Sequence, residues 1–327
     1  MPKVSIIILN WNGKPLLKEC LDSLARQTFT DFETVLLDNG SSDGSTEYLR
    51  QHYPWVHLVA LPENIGFAGG NNRAFQDCSG EFIVALNNDT KLEPTALAAL
   101  VAAAEADPGV GMVAAKMVNF YQTGRIDSVG IGVAGNGMGH NIGVGEQDQG
   151  QYDVAAEVFG PCGGAALYRR SMLEKVGFFD SDFFAYYEDL DLAWRGRLAG
   201  WRGVTAPAAV VHHVHSATSG KMSPFTVYHV QRNKWFVLIK DWPALLLLRF
   251  LPKIVLFDLA ALLLAILRGR GGAALRARRD VIRNLPRLLA QRKAIQRVRR
   301  IDVADAQALF RKSEGALATF RRKMRDR

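Results

Sequence analysis

Phe82-Ile83-Val84-Ala85-Leu86-Asn87-Asn88-Asp89-Thr90 opens with five apolar residues and then turns to two amides and a carboxylate. The apolar part has the length and β-branched content of a buried strand. Its end lifts Asn88 and Asp89 to the rim of a sheet. A carboxylate beside amide carbonyls offers hard oxygen donors. Mg2+ or Mn2+ takes that set when substrate phosphates complete its shell. Asp89 is therefore a candidate ligand for a metal on a nucleotide diphosphate.

Upstream, residues 4–9 read as a strand, and a helix follows from Pro15 with Leu16, Leu17, Cys20, Leu21 and Leu24 at helical spacing. Residues 33–37 read as a second strand closed by Asp38-Asn39-Gly40-Ser41, and a short helix then runs to about His52. Residues 55–61 read as a third strand, and 67–78 as a helix. Downstream of Asp89, an Ala-rich helix spans 95–106 and stops at Asp107-Pro108-Gly109. Alternating strand and helix predicts an α/β fold with a parallel, doubly wound sheet. Ligands of such sheets sit beyond the carboxyl ends of the strands. Here those ends carry Asn10, Asp38, the Asn64 region, and Asn88 with Asp89.

Residues 110–168 are less patterned. Gly-rich 129–144 reads as hairpins or a loop. The glycines of 159–168 permit close backbone approach to a ligand or simply close packing, and both readings stand. In Phe183-Phe184-Ala185-Tyr186-Tyr187-Glu188-Asp189-Leu190-Asp191 an aromatic run precedes three carboxylates at a helix start. Acidic residues there suit the helix dipole, which is the main role read for Glu188. Aromatic walls can also exclude water and raise a carboxylate's basicity, as a general base requires. That helix continues to Leu198, and 201–205 reads as a strand. Three histidines follow. On an extended strand His213 and His215 share one face and His212 takes the other, and one of them could contact a metal or phosphate.

The chain has 327 residues and a net charge of +8, unevenly spread. Residues 268–327 hold 19 Lys and Arg against 5 Asp and Glu, a balance of +14 that leaves −6 for the rest. A mildly acidic body with a basic tail suggests an anionic surface as partner. The tail lacks interleaved aromatic platforms, which disfavours nucleic acid. Three separated cysteines suggest neither a disulfide framework nor a zinc site and fit a reducing compartment. No signal peptide is read at the start. Residues 244–267 are apolar but broken by Arg249, Pro252, Lys253 and Asp258. This predicts two interfacial helices rather than one spanning segment, with a helical hairpin packed against the catalytic body as the alternative. The expected division is 1–240 as catalytic body and 241–327 as helical, basic extension.

VSIIILNWNG from residue 4, LLDNGSSDGS from 36, ENIGFAGGNN from 63, ALNNDT from 85, GFFDSDFFAYYEDLDLAWRGRLAGW from 177 and VVHHVHSAT from 210 together resemble the inverting GT-A glycosyltransferases of family 2. Within that family they are similar to the rhamnosyltransferase-like group. The resemblance covers about residues 1–240 and implies a GT-A, doubly wound mixed sheet. It implies nucleotide contacts at Leu9, Asn10, Asn12, Asp38, Asn64, Gly66, Gly70 and Asn88. Asp89 and His212 would hold Mg2+ or Mn2+, with His213 or His215 as alternatives to His212. Asp189, in the Glu188-Asp189 pair, matches the catalytic base. Asn87 stands where the family's motif starts with Asp, so one ligand charge is lost. The implied partners are a nucleotide-diphosphate sugar, such as dTDP-rhamnose, and a glycan or lipid-linked acceptor. The implied location is the cytoplasmic face of the cell membrane, and a homo-oligomer is left open. No Gly-rich, basic signature for a triphosphate supports a nucleotidyltransferase, and no G-x-G-x-x-G supports an oxidoreductase. A non-catalytic binding module is supported by Asn87 alone.

Overall fold

The structure, a computed structural model, describes residues 1–122, 124–214 and 223–311. β1 (Val4–Asn10), α1 (Lys14–Ala25), β2 (Phe32–Asp38), α2 (Ser45–His52), β3 (His57–Ala60), α3 (Gly66–Phe75) and β4 (Phe82–Asn87) alternate along the chain. β1 pairs in parallel with β2 and with β4, and β2 with β3. Successive side chains of a strand face opposite ways. Ile6 and Ile8 accordingly join the core under α1, while Ile7 joins the core on the α3 side. A strand covered on both faces needs a nearly unbroken apolar run, and VSIIIL is one. The register sets Asn10 beside Asp38 and Leu9 beside Asn87, so three strands end level on one rim.

β5 (Thr90–Leu92), α4 (Ala96–Glu105), β6 (Val110–Asn119), β7 (Ile126–Ser128), β8 (Ile131–Val133), β9 (Gly139–Asn141), β10 (Glu157–Val158), β11 (Ala165–Arg169), α5 (Arg170–Val176), α6 (Glu188–Leu198) and β12 (Arg202–His213) follow. β11 runs antiparallel between β4 and β6, and β12 runs parallel to β6. The sheet order is β10-β12-β6-β11-β4-β1-β2-β3, a mixed sheet of the GT-A kind. The Gly-rich segment 129–144 contains the β8–β9 hairpin. The strand expected at 201–205 and the histidine segment are one strand, β12. Its register slips between Ala206 and Val210, around Pro207, which lacks an amide donor.

α7 (Pro224–Lys240), α8 (Ala244–Leu267), α9 (Gly271–Arg297) and α10 (Val303–Arg311) complete the described chain. The Ser223 hydroxyl accepts from the Thr226 amide (3.1 Å), and Pro224 opens the first turn of α7. The two short helices expected in 244–267 are instead one continuous helix, α8. Pro252 lies inside it on the exposed side. An interior proline costs about 3 kcal/mol. Anchors on either side of it, Leu246 before and Ile254 and Ala265 after, are buried against the body and offset that cost. Asp258 does not break the apolar surface, because it faces inward. It accepts from Lys234 Nζ (2.9 Å), Trp235 Nε1 (2.8 Å) and Arg278 Nη2 (2.8 Å).

Trp242, fully buried, packs on Trp194 of α6 (ring centroids 5.7 Å) and on Phe310 of α10 (4.9 Å). The catalytic body and the C-terminal helices thus share one core. Trp242→Ala should destabilise the whole chain by about 3–5 kcal/mol, in a single unfolding transition. Denaturant unfolding followed by far-UV circular dichroism checks this. Loss of α8–α10 in a separate early transition would contradict it.

Candidate active site

The rim at the ends of β1, β2 and β4 is a net of amides. Asn10 Nδ2 donates to Asp38 Oδ1 (2.8 Å), and Asn88 Nδ2 donates to Asn10 Oδ1 (2.7 Å). Asp38 Oδ2 accepts from the Ser41 amide (3.0 Å), so this nearly buried carboxylate organises the loop after β2. Each of its oxygens keeps a second lone pair for a ligand donor. Asn12 Oδ1 accepts from the Ser42 amide (2.8 Å). Asn64 Oδ1 accepts from Asn39 Nδ2 (2.9 Å) and from the Gly66 amide (2.8 Å). Gly66 has φ +83°, and a Cβ there would lie 2.6 Å from the Phe184 ring. A Cβ on Gly70 would lie 2.4 Å from Leu9 Cδ1, so that glycine makes room for Leu9.

Beside this rim, Asp89 meets His213, not His212. Asp89 Oδ1 lies 3.2 Å from His213 Nε2, and Asp127 Oδ2 lies 2.6 Å from His213 Nδ1. His212 sits on the other face of β12, where its Nε2 lies 2.7 Å from Glu93 Oε1. The alternation of a strand puts His213, the alternative read beside His212, next to Asp89 and turns His212 away from it. His215 lies outside the described residues. Burial opposes a charge on His213, but Asp127 and Asp89 outweigh it and raise its pKa to about 9. Asp127 is the residue the sequence reading missed. It stands between Ile126 and Ser128 on a three-residue strand, with no local signal of its use.

The second carboxylate group opens α6. Asp189 Oδ2 accepts from the Gly163 amide (3.1 Å), and Oδ1 from the Leu190 amide (2.7 Å). One residue on, the Gly164 carbonyl accepts from the Asn87 amide (2.9 Å). The glycine turn therefore packs closely against both acidic segments. A chain of contacts runs from Asp189 through Gly163 and Gly164 to Asn87, two residues from Asp89. The Cys162 thiol, beside this turn, is held in its protonated form. Burial, then the charges of Asp189 and Asp127, hold its pKa far above the ordinary range. Asp189 lines a cleft of about 210 Å³ with His140 and Asn141 of β9, Tyr186, Tyr187 and Val230.

Burial raises the Asp189 carboxyl above the usual carboxylate range, despite its amide donors. Glu188 is deeper. Its Oε2 has no hydrogen-bond partner among the described residues. Burial first, then the neighbouring Asp189 charge, pushes its pKa to about 8. At neutral pH Glu188 is thus an uncharged acid, and Asp189 is the member of the pair available as a base. Among the described residues no three His, Cys, Asp or Glu side chains cluster to hold a metal ion, and Asp89 with His213 would supply two donors once an ion displaced the proton from His213. One oxygen and one imidazole nitrogen face each other, and a carboxylate holds the other ring nitrogen, the usual outer support of a metal-bound histidine.

A rim of amides, an acidic strand end and an aromatic-walled carboxylate stand together on a mixed sheet of the GT-A kind. The description Glycosyl transferase family 2 matches residues 5–177. The chain belongs to that family and is a glycosyltransferase. It is 29% identical to the N-acetylglucosaminyl-diphospho-decaprenol L-rhamnosyltransferase of Mycobacterium tuberculosis over 257 residues, 72% of this chain and 83% of that protein. It is also 29% identical to the O-antigen biosynthesis protein RfbC of Myxococcus xanthus, covering 69% of this chain but 18% of that one. Among solved structures it shares the fold of a Pyrobaculum calidifontis mannosyltransferase in complex with GDP-Man and Mn2+. That likeness has a TM-score of 0.53 at 22% identity, over 94% of this chain and 87% of that one.

The raised pKa of Glu188 fixes a sign. The folded state holds its proton where the unfolded chain has lost it, so stability falls as pH climbs from the ordinary glutamate value toward about 8. Glu188→Gln carries no such penalty. Its thermal midpoint should gain on the unsubstituted chain between about pH 5 and about pH 8. An offset between the two chains that stays constant with pH would contradict the buried acid.

Proposed function

We propose that this glycosyltransferase moves a sugar from a nucleoside-diphosphate donor to a lipid-linked glycan acceptor, inverting the anomeric centre. The observation that carries the reading is Asp189, a carboxylate with raised basicity in an aromatic-walled cleft, joined through one glycine turn to the Asp89 segment. dTDP-rhamnose is the donor favoured by the mycobacterial relative, whose name specifies L-rhamnosyl transfer to a decaprenol-linked sugar.

Asp89 and His213 would hold the Mg2+ or Mn2+, with Asp127 behind His213. Two neighbours in the fold, the mannosyltransferase and a GalNAc-T7, carry Mn2+ with a nucleotide sugar or with UDP and GalNAc. When bound, such an ion offsets the charge that develops on a departing diphosphate. The rest falls to the chain. Asn10, Asn12, Asp38, Asn64 and the backbone at Gly66 receive the nucleoside, with Leu9 and Gly70 packed behind them. Asn88 braces Asn10 from the acidic strand end. Asp189 Oδ accepts the proton of the acceptor hydroxyl as its oxygen attacks. Glu188, uncharged, keeps a second negative charge away from the base.

The chain divides in this reading at about residue 240, and the helical part meets the cytoplasmic face of a membrane. α8 is the one helix among the described residues long and apolar enough to cross a bilayer. Its inner side is seated on the body through Leu246, Ile254 and Asp258, while Leu248 (63% exposed), Leu256 (66%) and Leu263 (58%) face outward. A helix with one side committed to protein suits the interface, and the cations of α9 suit anionic headgroups.

Asp189→Asn should lose about 10²- to 10⁴-fold in turnover. It should keep the thermal stabilisation by dTDP with Mn2+, which Asp89→Ala should lose. Turnover by Asp189→Asn at the original rate would remove the base. Leu248→Glu, Leu256→Glu and Leu263→Glu together should abolish co-sedimentation with vesicles of anionic lipid and leave nucleotide binding intact. Undiminished sedimentation would place the membrane contact elsewhere.

A further inference from the structure

The backbone just before the Glu188-Asp189 pair is contorted. Phe184 (φ +63°, ψ −61°) forms a γ-turn of the rare, strained hand, closed by the Ala185 amide donating to the Phe183 carbonyl (2.7 Å). Tyr186 (φ +68°) and Tyr187 (φ +72°) are both left-handed, and neither is glycine. Such conformations persist only where the surroundings over-determine them. Tyr187 is also the residue from which α6 starts, so any shift here is passed to Asp189.

The surroundings that over-determine this loop come from α7. Asn233 has no exposed surface. Its Nδ2 donates to the carbonyls of Phe183 (3.0 Å), Ala185 (2.9 Å) and Tyr186 (2.7 Å). Its Oδ1 accepts from Arg232 Nε (2.8 Å), which fixes the amide's orientation. Arg232 Nη2 adds bonds to the carbonyls of Asp182 (2.8 Å) and Phe183 (3.0 Å). The carbonyl of Phe184, inside the same loop, accepts from the Phe67 amide (2.6 Å) at the start of α3, next to Gly66 of the nucleotide rim. One side chain thus gathers the carbonyls of a loop that touches the donor rim at one end and the base at the other.

We infer that Asn233 is a positioning residue for the transfer. It holds the 183–187 loop in its strained form and thereby aims Asp189 at the acceptor hydroxyl. The inference rests on the reading of Asp189 as base. Asn233 touches neither substrate nor reacting atoms; it acts on the geometry of the group that does. A misplacement of about 1 Å in such a group can cost about 100-fold in rate.

The test uses the full chain with Asn233→Leu, which removes the donor at similar volume, and Asn233→Asp, which sets an acceptor against three carbonyls. Hydrogen–deuterium exchange is followed at 183–190 and in β1 and β4. Turnover is scored as release of nucleoside diphosphate from dTDP-rhamnose, or from UDP- and GDP-sugars where that donor gives none. The expected result is faster exchange at 183–190 with β1 and β4 unchanged. Turnover should drop about 100-fold with the donor KM within about threefold, and the acidic limb of the pH profile should move, because the environment of Asp189 has changed. Unchanged exchange and turnover within about threefold of the original chain would overturn the inference. So would a loss of rate that simply follows the unfolded fraction and recovers on cooling. Asp189→Asn, run alongside, separates the two failures. If it stays active, the base assignment has failed; if it is inactive while Asn233→Leu works, only the positioning role has failed.

Discussion

Two hydrogen bonds one residue apart tie the molecule's chemistry together. The Gly163 amide donates to Asp189, and the Gly164 carbonyl accepts from the amide of Asn87. The first fastens the head of α6 to the turn before β11, and the second fastens that turn to the end of β4. β11 enters the sheet antiparallel to β4, so the turn must sit at the carboxyl end of β4, where Asn88 and Asp89 emerge. A Cβ on Gly164 would lie 2.8 Å from Met117 Cε, so the turn has little room to retreat from that strand end. Most other features of the site are elaborations on this junction: Asp89 with His213 on one side, Asp189 with its aromatic wall on the other.

Behind the junction lies a buried ionic network that a sugar-transfer site does not by itself require. Asp191 of α6, without exposed surface, lies 2.8 Å from Arg195 and 2.7 Å from Lys240. Lys240 also pairs with Asp180, which accepts from Gln291 of α9 (3.1 Å). Burial opposes ionisation of Asp191, but the two cations outweigh it and hold its pKa low. Asp241, beside the same cations, has no hydrogen-bond partner for either carboxyl oxygen among the described residues. Burial first, then the Asp191 charge, drives its pKa well up against the pull of Lys240 and Arg195. Buried pairs of this kind add little net stability but are costly to break singly. Their effect here is to fix α6 against α7 and α9, so that the carboxylate pair at the head of α6 has one orientation. The same α7 carries Asn233 toward the 183–187 loop and Lys234 toward Asp258 of α8, so that loop and α8 are fastened to adjacent faces of a single helix.

What could be read from the chain in advance was local. Unbroken apolar runs ending in Asn10, Asp38 and Asp89 betray central parallel strands and their rim, because both faces of such strands are covered. The aromatic run and acidic helix start at 183–191 are likewise written in consecutive residues. What could not be read was pairing across distance. β6 is among the most buried strands, yet Val110–Asn119 has no alternation to mark it, and its longer pairings, with β11 and β12, are distant in sequence. Asp127 meets His213 at a sequence separation of 86, from a three-residue strand just ahead of the Gly-rich stretch. His212 and His213 are adjacent, and only the register of β12 against β5 and β6 decides which faces Asp89. Pro252 suggested a break in the apolar tail, but anchors on both sides of it keep α8 whole. Local rules failed wherever a distant contact outweighed them.

The most direct measurement is anomalous diffraction from crystals of the full chain grown with Mn2+ and dTDP. The ion should appear within coordination distance of Asp89 and His213, with the diphosphate between it and the cleft that Asp189 lines. Nucleotide bound at the rim with the ion on another face, or with Asp189 walled off from the diphosphate, would contradict a single site shared by the two carboxylates.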